Sequence, residues 1–155
     1  GLMPGRARLA NDAWESLLTA HAEMMRQFAV EDVWNEVSRT EYDVLYTLSK
    51  CSGPIRLAEL NRRVLLSQPA LSRMVDRLVE RGLVRREADE ADGRGIRLSL
   101  TEAGAAQQKS TGRRHALNVS RAMNDAFEPD ELSELMALCR KLAANREAAL
   151  DGVHA

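Results

Sequence analysis

Aromatic residues are scarce in this chain, at 4% of its 155 residues, so a core has to be built from leucine, valine, alanine and methionine. The two cysteines, Cys51 and Cys139, lie far apart and outside any metal-binding spacing, which argues against a disulfide framework and a cysteine-based metal site. No apolar run approaches the roughly 20 residues that a membrane span needs, and the first residues lack the apolar core of a signal peptide. These absences predict a cytoplasmic protein with no membrane partner.

Catalytic motifs are absent as well. The three histidines, His21, His115 and His154, fall in unrelated segments, and the sequence has no nucleophile motif, phosphate-binding loop or His-x-x-x-His pair. We therefore expect no enzymatic activity, no bound metal and no cofactor.

Charge is unevenly distributed along the chain, although the net charge is only −1. Residues 56–100 hold ten arginines against seven acidic residues, whereas the rest of the chain holds twelve basic and sixteen acidic residues. One module can therefore present the basic surface that phosphate binding requires. Its basic residues are all arginines, which favour bidentate contacts with phosphate and guanine.

Residues 67–82 carry the sharpest helical pattern. Ser67 suits an N-cap, Pro69 suits the first turn, and Gly82 suits a left-handed C-terminal stop. Five apolar residues at helical spacing form one stripe that we expect to face the core: Leu71, Met74, Val75, Leu78 and Val79. The opposite face begins with hydrogen-bonding side chains of the types that read base edges in a major groove: Gln68, Ser72 and Arg73. A solvated helix surface is the alternative interpretation of this face.

The segments on either side complete a winged helix-turn-helix pattern. A shorter apolar pattern at residues 57–64 predicts a preceding helix, joined by a two-residue connection. Downstream, residues 83–88 and 96–100 read as two strands joined by a polar tip with two glycines, and residues 55–56 as a short strand at the edge. At the tip, Arg94 suits insertion into a minor groove, and Asp92 could pair with it. An ordinary charged loop is the alternative here.

The run from Glu41 through LAELNRRVLLSQPALSRMVDRLVERGLV to DGRGIRLSLTEAG resembles the MarR family of bacterial transcription regulators. Asp92-Gly93-Arg94 matches the D-x-R signature of that family's wing, and residues 98–104, LSLTEAG, match the segment that closes the wing. The resemblance covers nearly the whole chain. It implies a sequence-specific transcriptional regulator, a repressor that binds a pseudo-palindromic operator in double-stranded DNA as a homodimer. Regulation by a small anionic or aromatic effector, or by thiol oxidation, is common in the family.

Residue roles follow from this resemblance and from the helix pattern. Base readout is assigned to Gln68, Ser72 and Arg73. Positioning on the DNA backbone is assigned to Arg62, Ser67, Pro69 and Arg77. Minor-groove contact is assigned to Arg94, oriented by Asp92.

The flanking segments predict long helices. Asn11 or Asp12 is expected to cap the first, over about residues 11–30, and a capping box at Ser38 and Glu41 starts the next. Thr101 caps a helix that runs to about Phe127, and a last helix ends before Gly152. We interpret residues 10–150 as one mainly α-helical domain with a small β-wing. Its winged helix-turn-helix spans about 38–100, and N- and C-terminal dimerisation helices span about 11–30 and 101–150.

Three alternatives remain open from the sequence. His21 lies on the apolar stripe of the first helix, near the family's effector pocket, and could meet an anionic ligand together with Trp14 or Arg26; a packed histidine is the commoner outcome. Cys51 could be a redox switch, although structural roles are favoured for both cysteines. The module could also bind an acidic protein instead of DNA, but a protein interface would favour exposed aromatic residues, which this face lacks.

Overall fold

The computed structural model describes residues 4–89, 91, 93 and 95–154, except for the side chains of residues 153 and 154. Within these residues the chain is mainly α-helical with a small antiparallel sheet, which confirms the expected fold class. The elements in chain order are α1 Gly5–Ala29, α2 Arg39–Ser49, β1 Ile55–Arg56, α3 Leu57–Arg63, α4 Gln68–Glu80, β2 Val84–Ala88, β3 Ile96–Leu100, α5 Glu102–Ala126 and α6 Pro129–His154. The chain divides into two compact units, Gly1–Arg114 and His115–Ala155.

The sheet of the first unit has the strand order β1-β3-β2, with both pairings antiparallel. Ile55 pairs with Leu98, and β2 pairs with β3 from Val84 opposite Leu100 to Ala88 opposite Ile96. The predicted hairpin and edge strand are therefore confirmed. Leu98 is buried at the centre of the sheet, because the alternation along β3 turns it towards the helices.

The core of the first unit is aliphatic, as the low aromatic content requires. Its most deeply buried large side chains are Leu45, Leu60, Leu71 and Leu78, which come from α2, α3 and α4. A capping box starts α2: the Ser38 hydroxyl accepts from the Glu41 amide, and the Glu41 carboxylate accepts from the Ser38 amide. The three helices thus pack their apolar stripes together against the sheet.

The wing is joined to α5 through one threonine. The Thr101 hydroxyl accepts a hydrogen bond of 2.9 Å from the Gly104 amide, as an N-cap should, and donates one of 2.6 Å to the Gly82 carbonyl. The end of α4 and the start of α5 are therefore held by the same side chain.

The first helix begins earlier than the sequence pattern predicts. It starts at Gly5 after Pro4, so the expected cap at Asn11 or Asp12 is wrong. Asn11 instead donates its side-chain amide to the Ala7 carbonyl, four residues back, and so lies inside the helix. The last helix likewise passes the expected stop at Gly152 and ends at His154.

Residues 31–37, which the sequence left open between helix and turn, form turns and bends. Trp34 is half-buried there, and its indole N–H donates to the Phe28 carbonyl at 2.7 Å. This contact fixes the chain between α1 and α2.

The second unit contains the end of α5 and all of α6. Glu131 caps α6 by accepting a hydrogen bond of 3.0 Å from the Glu128 amide. The apolar residues of α6 include Met136, Leu138, Leu142 and Leu150, which are all exposed. Among the described residues, no helix is long and apolar enough to cross a membrane.

Candidate nucleic-acid interface

Helix α4 has firmly defined ends. The Ser67 hydroxyl accepts from the Ala70 amide at 3.3 Å, and Pro69 lies in the first turn, so the predicted N-cap is confirmed. At the other end, the Gly82 amide bonds to Val79 and the Leu83 amide to Leu78, with Gly82 at a φ of 75°. This is a Schellman motif, which requires a left-handed residue after the helix. The exposed face of α4 is therefore held at both ends.

The outward face of α4 carries the residues that the sequence assigned to DNA. Gln68, Arg73 and Arg77 are exposed, and Ser72 is half-buried, while the predicted apolar stripe is turned inward. Among the described residues, no carboxylate lies within 4.0 Å of the guanidinium groups of Arg73 and Arg77. Both arginines are therefore available to an anionic partner.

The connection between α3 and α4 is closed by a side chain that the sequence pattern did not single out. Asn61 donates its side-chain amide to the Leu66 carbonyl at 2.9 Å, across the turn. This hydrogen bond stabilises a turn that has no glycine, and it leaves Arg62 exposed beside it on α3.

Two further arginines, Arg81 and Arg86, form contacts within the chain that hold α4 in place. Arg81 donates to the Glu41 carboxylate at 3.1 Å and to the Glu36 carbonyl at 2.6 Å, which ties the end of α4 to the start of α2. Arg86 of β2 forms an ion pair with Asp76 of α4, so the helix is also tied to the wing. Asp76 is thereby neutralised between the two free arginines of the same helix.

The base of the wing is organised by Asp89, which is only 5% exposed. Its carboxylate accepts from Arg56 at 2.6 Å, from Arg97 at 3.0 Å and from the Ala91 amide at 3.0 Å. Its own amide donates to the Gly95 carbonyl at 2.8 Å, just beyond the last strand pair. Asp89 therefore joins β1, β3 and the start of the tip.

The hydrogen bond from Arg56, followed by that from Arg97, lowers the pKa of Asp89 from 3.8 to about 2. Asp89 is accordingly ionised at neutral pH, when it attracts both arginines. Asp92 and Arg94, the wing pair proposed from the sequence, lie outside the described residues.

The three residues proposed for ligand binding do not converge. His21 lines an open cleft of about 630 Å³ together with Met25, Arg39 and Tyr46. It is exposed, so it is not the packed core histidine that the helix pattern favoured. Trp14 lies outside this lining, and Arg26 forms an ion pair with Glu23.

Both cysteines are free thiols. Cys51 is half-buried at the end of α2, where its thiol donates to the Thr47 carbonyl at 3.2 Å and lies 3.5 Å from the Arg63 guanidinium. Cys139 is exposed on α6.

Sequence reasoning found the helix that presents the arginines but missed the side chains that hold it. Asp89, Asn61, Arg81 and Arg86 contact residues between 5 and 45 positions away. The excess of arginine over residues 56–100 was the only sequence signal for Arg81 and Arg86, and Asn61 and Asp89 had no such signal.

Comparisons with known proteins agree on the region just described. The model of the MarR family matches residues 37–96. The multiple antibiotic resistance protein MarR of Salmonella typhimurium is 29% identical over 107 residues, covering 69% of this chain and 74% of that protein. The HTH-type transcriptional regulator YkoM of Bacillus subtilis is 32% identical over 102 residues, covering 66% of this chain and 65% of that protein.

Among solved structures, a mutant MarR from E. coli complexed with operator DNA superposes with a TM-score of 0.69 at 25% identity. The match covers 83% of this chain and 91% of that one. Sequence and fold comparisons therefore both point to winged-helix regulators.

Proposed function

We propose that this chain, a member of the MarR family of DNA-binding transcriptional regulators, is a repressor that binds a pseudo-palindromic operator in the cytoplasm as a homodimer. The observation that carries this proposal is the outward face of α4, where Arg73 and Arg77 have no carboxylate within 4.0 Å among the described residues. A structural neighbour complexed with operator DNA supports the same partner.

In the proposed complex, α4 enters the major groove. Gln68, Ser72 and Arg73 contact base edges, because amide, hydroxyl and guanidinium groups can each pair with the acceptors and donors displayed there. Ser67, Pro69 and Arg77 lie beside the backbone, together with Arg62 of α3. Arg94 of the wing, oriented by Asp92, enters the flanking minor groove.

Homodimerisation is the part of the proposal that the exposed apolar residues support. Trp14, Leu17 and Leu18 of α1 and Leu138 and Leu142 of α6 are exposed in the isolated chain. A second copy would cover such surface, and a two-fold dimer would place two copies of α4 about 34–36 Å apart, one turn of B-DNA. The operator should therefore be an inverted repeat.

Release by a small aromatic or anionic effector is a finer part of the same proposal. The cleft beside His21 combines apolar side chains, such as Met25 and Leu65, with the cationic side chain of Arg39, which suits an aromatic or anionic molecule. An effector would act only if it bound one separation of the two α4 helices better than another.

Thiol sensing is a second candidate, favoured by the guanidinium of Arg63 near the Cys51 sulfur. Treatment with mild peroxide followed by mass spectrometry tests it. Oxidation of Cys51 with loss of DNA affinity would support a sensor, and unmodified cysteines with unchanged affinity would exclude it.

The test of the main proposal is selection of bound fragments from random double-stranded DNA, followed by affinity measurements at two salt concentrations. We expect an inverted repeat that is bound well above random DNA and is weakened by salt. Recovery of nothing above background would contradict the proposal and favour a winged helix that binds an acidic protein.

A further inference from the structure

A second basic surface lies at the base of the wing, apart from the outward face of α4. It is a shallow groove of about 300 Å³ lined by Arg56, Ala58, Glu59, Arg62 and Arg97. Three of these five side chains are arginines, contributed by β1, α3 and β3. We call it the wing-base groove.

Arg97 is oriented in this groove but not hidden by its partners. Its Nε donates to the Asp89 carboxylate at 3.0 Å, and its Nη1 donates to the Pro54 carbonyl at 3.4 Å. The side chain nevertheless remains 43% exposed. Asp89 carries a single negative charge, so it orients the guanidinium of Arg97 while also accepting from Arg56. A fixed and accessible guanidinium loses little entropy when it binds an anion.

Arg62 supplies a second cation with no competing carboxylate. It is exposed on α3, and no acidic side chain among the described residues lies within 4.0 Å of it. Glu59, the one acidic residue of the groove, forms an ion pair of 3.0 Å with Arg63 instead. Because Arg63 neutralises the carboxylate of Glu59, the electrostatic potential of the groove stays positive beside Arg62.

We propose that the wing-base groove binds a phosphate of the DNA backbone, with Arg62 and Arg97 as the contacting residues and Asp89 as the residue that positions Arg97. This inference rests on the proposed DNA-binding function, which already places Arg62 beside the backbone, and adds Arg97 as a second contact with Asp89 as the residue that positions it. Guanidinium groups match phosphate oxygens in geometry as well as in charge. The groove is shallow and open, which suits a phosphodiester that projects from a duplex.

The experiment measures the affinity of the full-length protein for the selected duplex and for a random duplex across a series of salt concentrations. We expect R62Q and R97Q each to reduce the slope of log affinity against log salt by about 1, the value for one lost phosphate contact. Each should weaken both duplexes by the same factor, because a phosphate contact carries no sequence information.

The matched control is R140Q, which removes the same charge from an exposed position of α6, where the side chain forms no ion pair among the described residues. Its slope should equal that of the wild type. Thermal unfolding checks that each variant folds, and R62Q breaks no hydrogen bond or ion pair among the described residues, so it tests the groove even if R97Q is destabilised.

Slopes of R62Q and R97Q equal to that of R140Q would overturn the phosphate site, and with it the backbone contact assigned to Arg62, while leaving base readout by α4 and the inverted-repeat operator intact. A wild-type protein that binds neither duplex at any salt concentration would overturn the proposed function itself. Calorimetry with inorganic phosphate separates the sources of the anion: binding to wild type that R97Q abolishes would assign the groove to a free anion instead of DNA.

Discussion

The carbonyl oxygen of Leu83 occupies the space beside Gly104 in which any other residue would carry its side chain. A Cβ built on Gly104 would lie 1.9 Å from that oxygen, far inside van der Waals contact. The first turn of α5 can therefore approach the start of the wing only because residue 104 is glycine. The same turn is held by Thr101, so the two residues together set where α5 leaves the winged helix.

The G104A variant should be destabilised by about 1–3 kcal/mol, because the methyl group must push α5 away from backbone atoms that cannot rotate aside. Chemical denaturation measures the free energy of unfolding. G152A is the control, since a Cβ there meets nothing within 4 Å. It should be neutral or stabilising by up to about 1 kcal/mol. Wild-type stability in G104A would mean that α5 can shift without cost.

Asp89 should make the wing sensitive to acid. Its folded pKa of about 2 lies below its ordinary 3.8, so its ion pairs contribute fully above about pH 4 and are lost as the pH falls through about 2. The carboxyl carbon of Asp89 should titrate near pH 2 by NMR. In R56Q, which removes the strongest hydrogen bond to it, the pKa should rise towards 3.8. An unchanged pKa in R56Q would contradict the described ion pair.

The R73A variant should lose sequence discrimination, by about 1–3 kcal/mol at one base pair of each half-site, if its guanidinium is bidentate to guanine. The R77A variant, changed on the same helix, should weaken binding to all sequences about equally. Competition between the selected duplex and its single-base variants measures both effects. Uniform weakening by R73A would instead place Arg73 on the phosphate backbone.

The exposed apolar residues of α6 should form part of the dimer interface. Replacing Leu142 by glutamate introduces a charge there and should weaken the dimer roughly tenfold or more. Analytical ultracentrifugation over a range of protein concentrations measures the dissociation constant. R140E introduces the same residue about 200° away around the helix and should leave the dimer intact. A wild type that sediments as a monomer would refute the dimer and the inverted-repeat operator with it.

Local chemistry made much of the fold predictable. Three local features were predicted correctly: the capping box at Ser38, the N-cap at Ser67 and the left-handed Gly82. Each depends on residues only a few positions away, so a short stretch of sequence is enough to recognise it. Strand β3 was predicted with its observed bounds, Ile96–Leu100, because its alternation has a period of two. The start of α1 was missed because Asn11 bonds back inside the helix, which the residue type alone does not reveal.

The candidate site divides in the same way. The sequence by itself determined which helix presents arginine, because an amphipathic period fixes which side of α4 is buried and leaves Arg73 and Arg77 on the other. Only the tertiary structure decided which arginines are free. Arg86 forms an ion pair with Asp76, which is ten positions away in the sequence. Arg56 and Arg97 both donate to the carboxylate of Asp89, which lies 33 positions beyond Arg56. The energy of an ion pair depends on the distance between the charges, and chain folding, not sequence spacing, sets that distance.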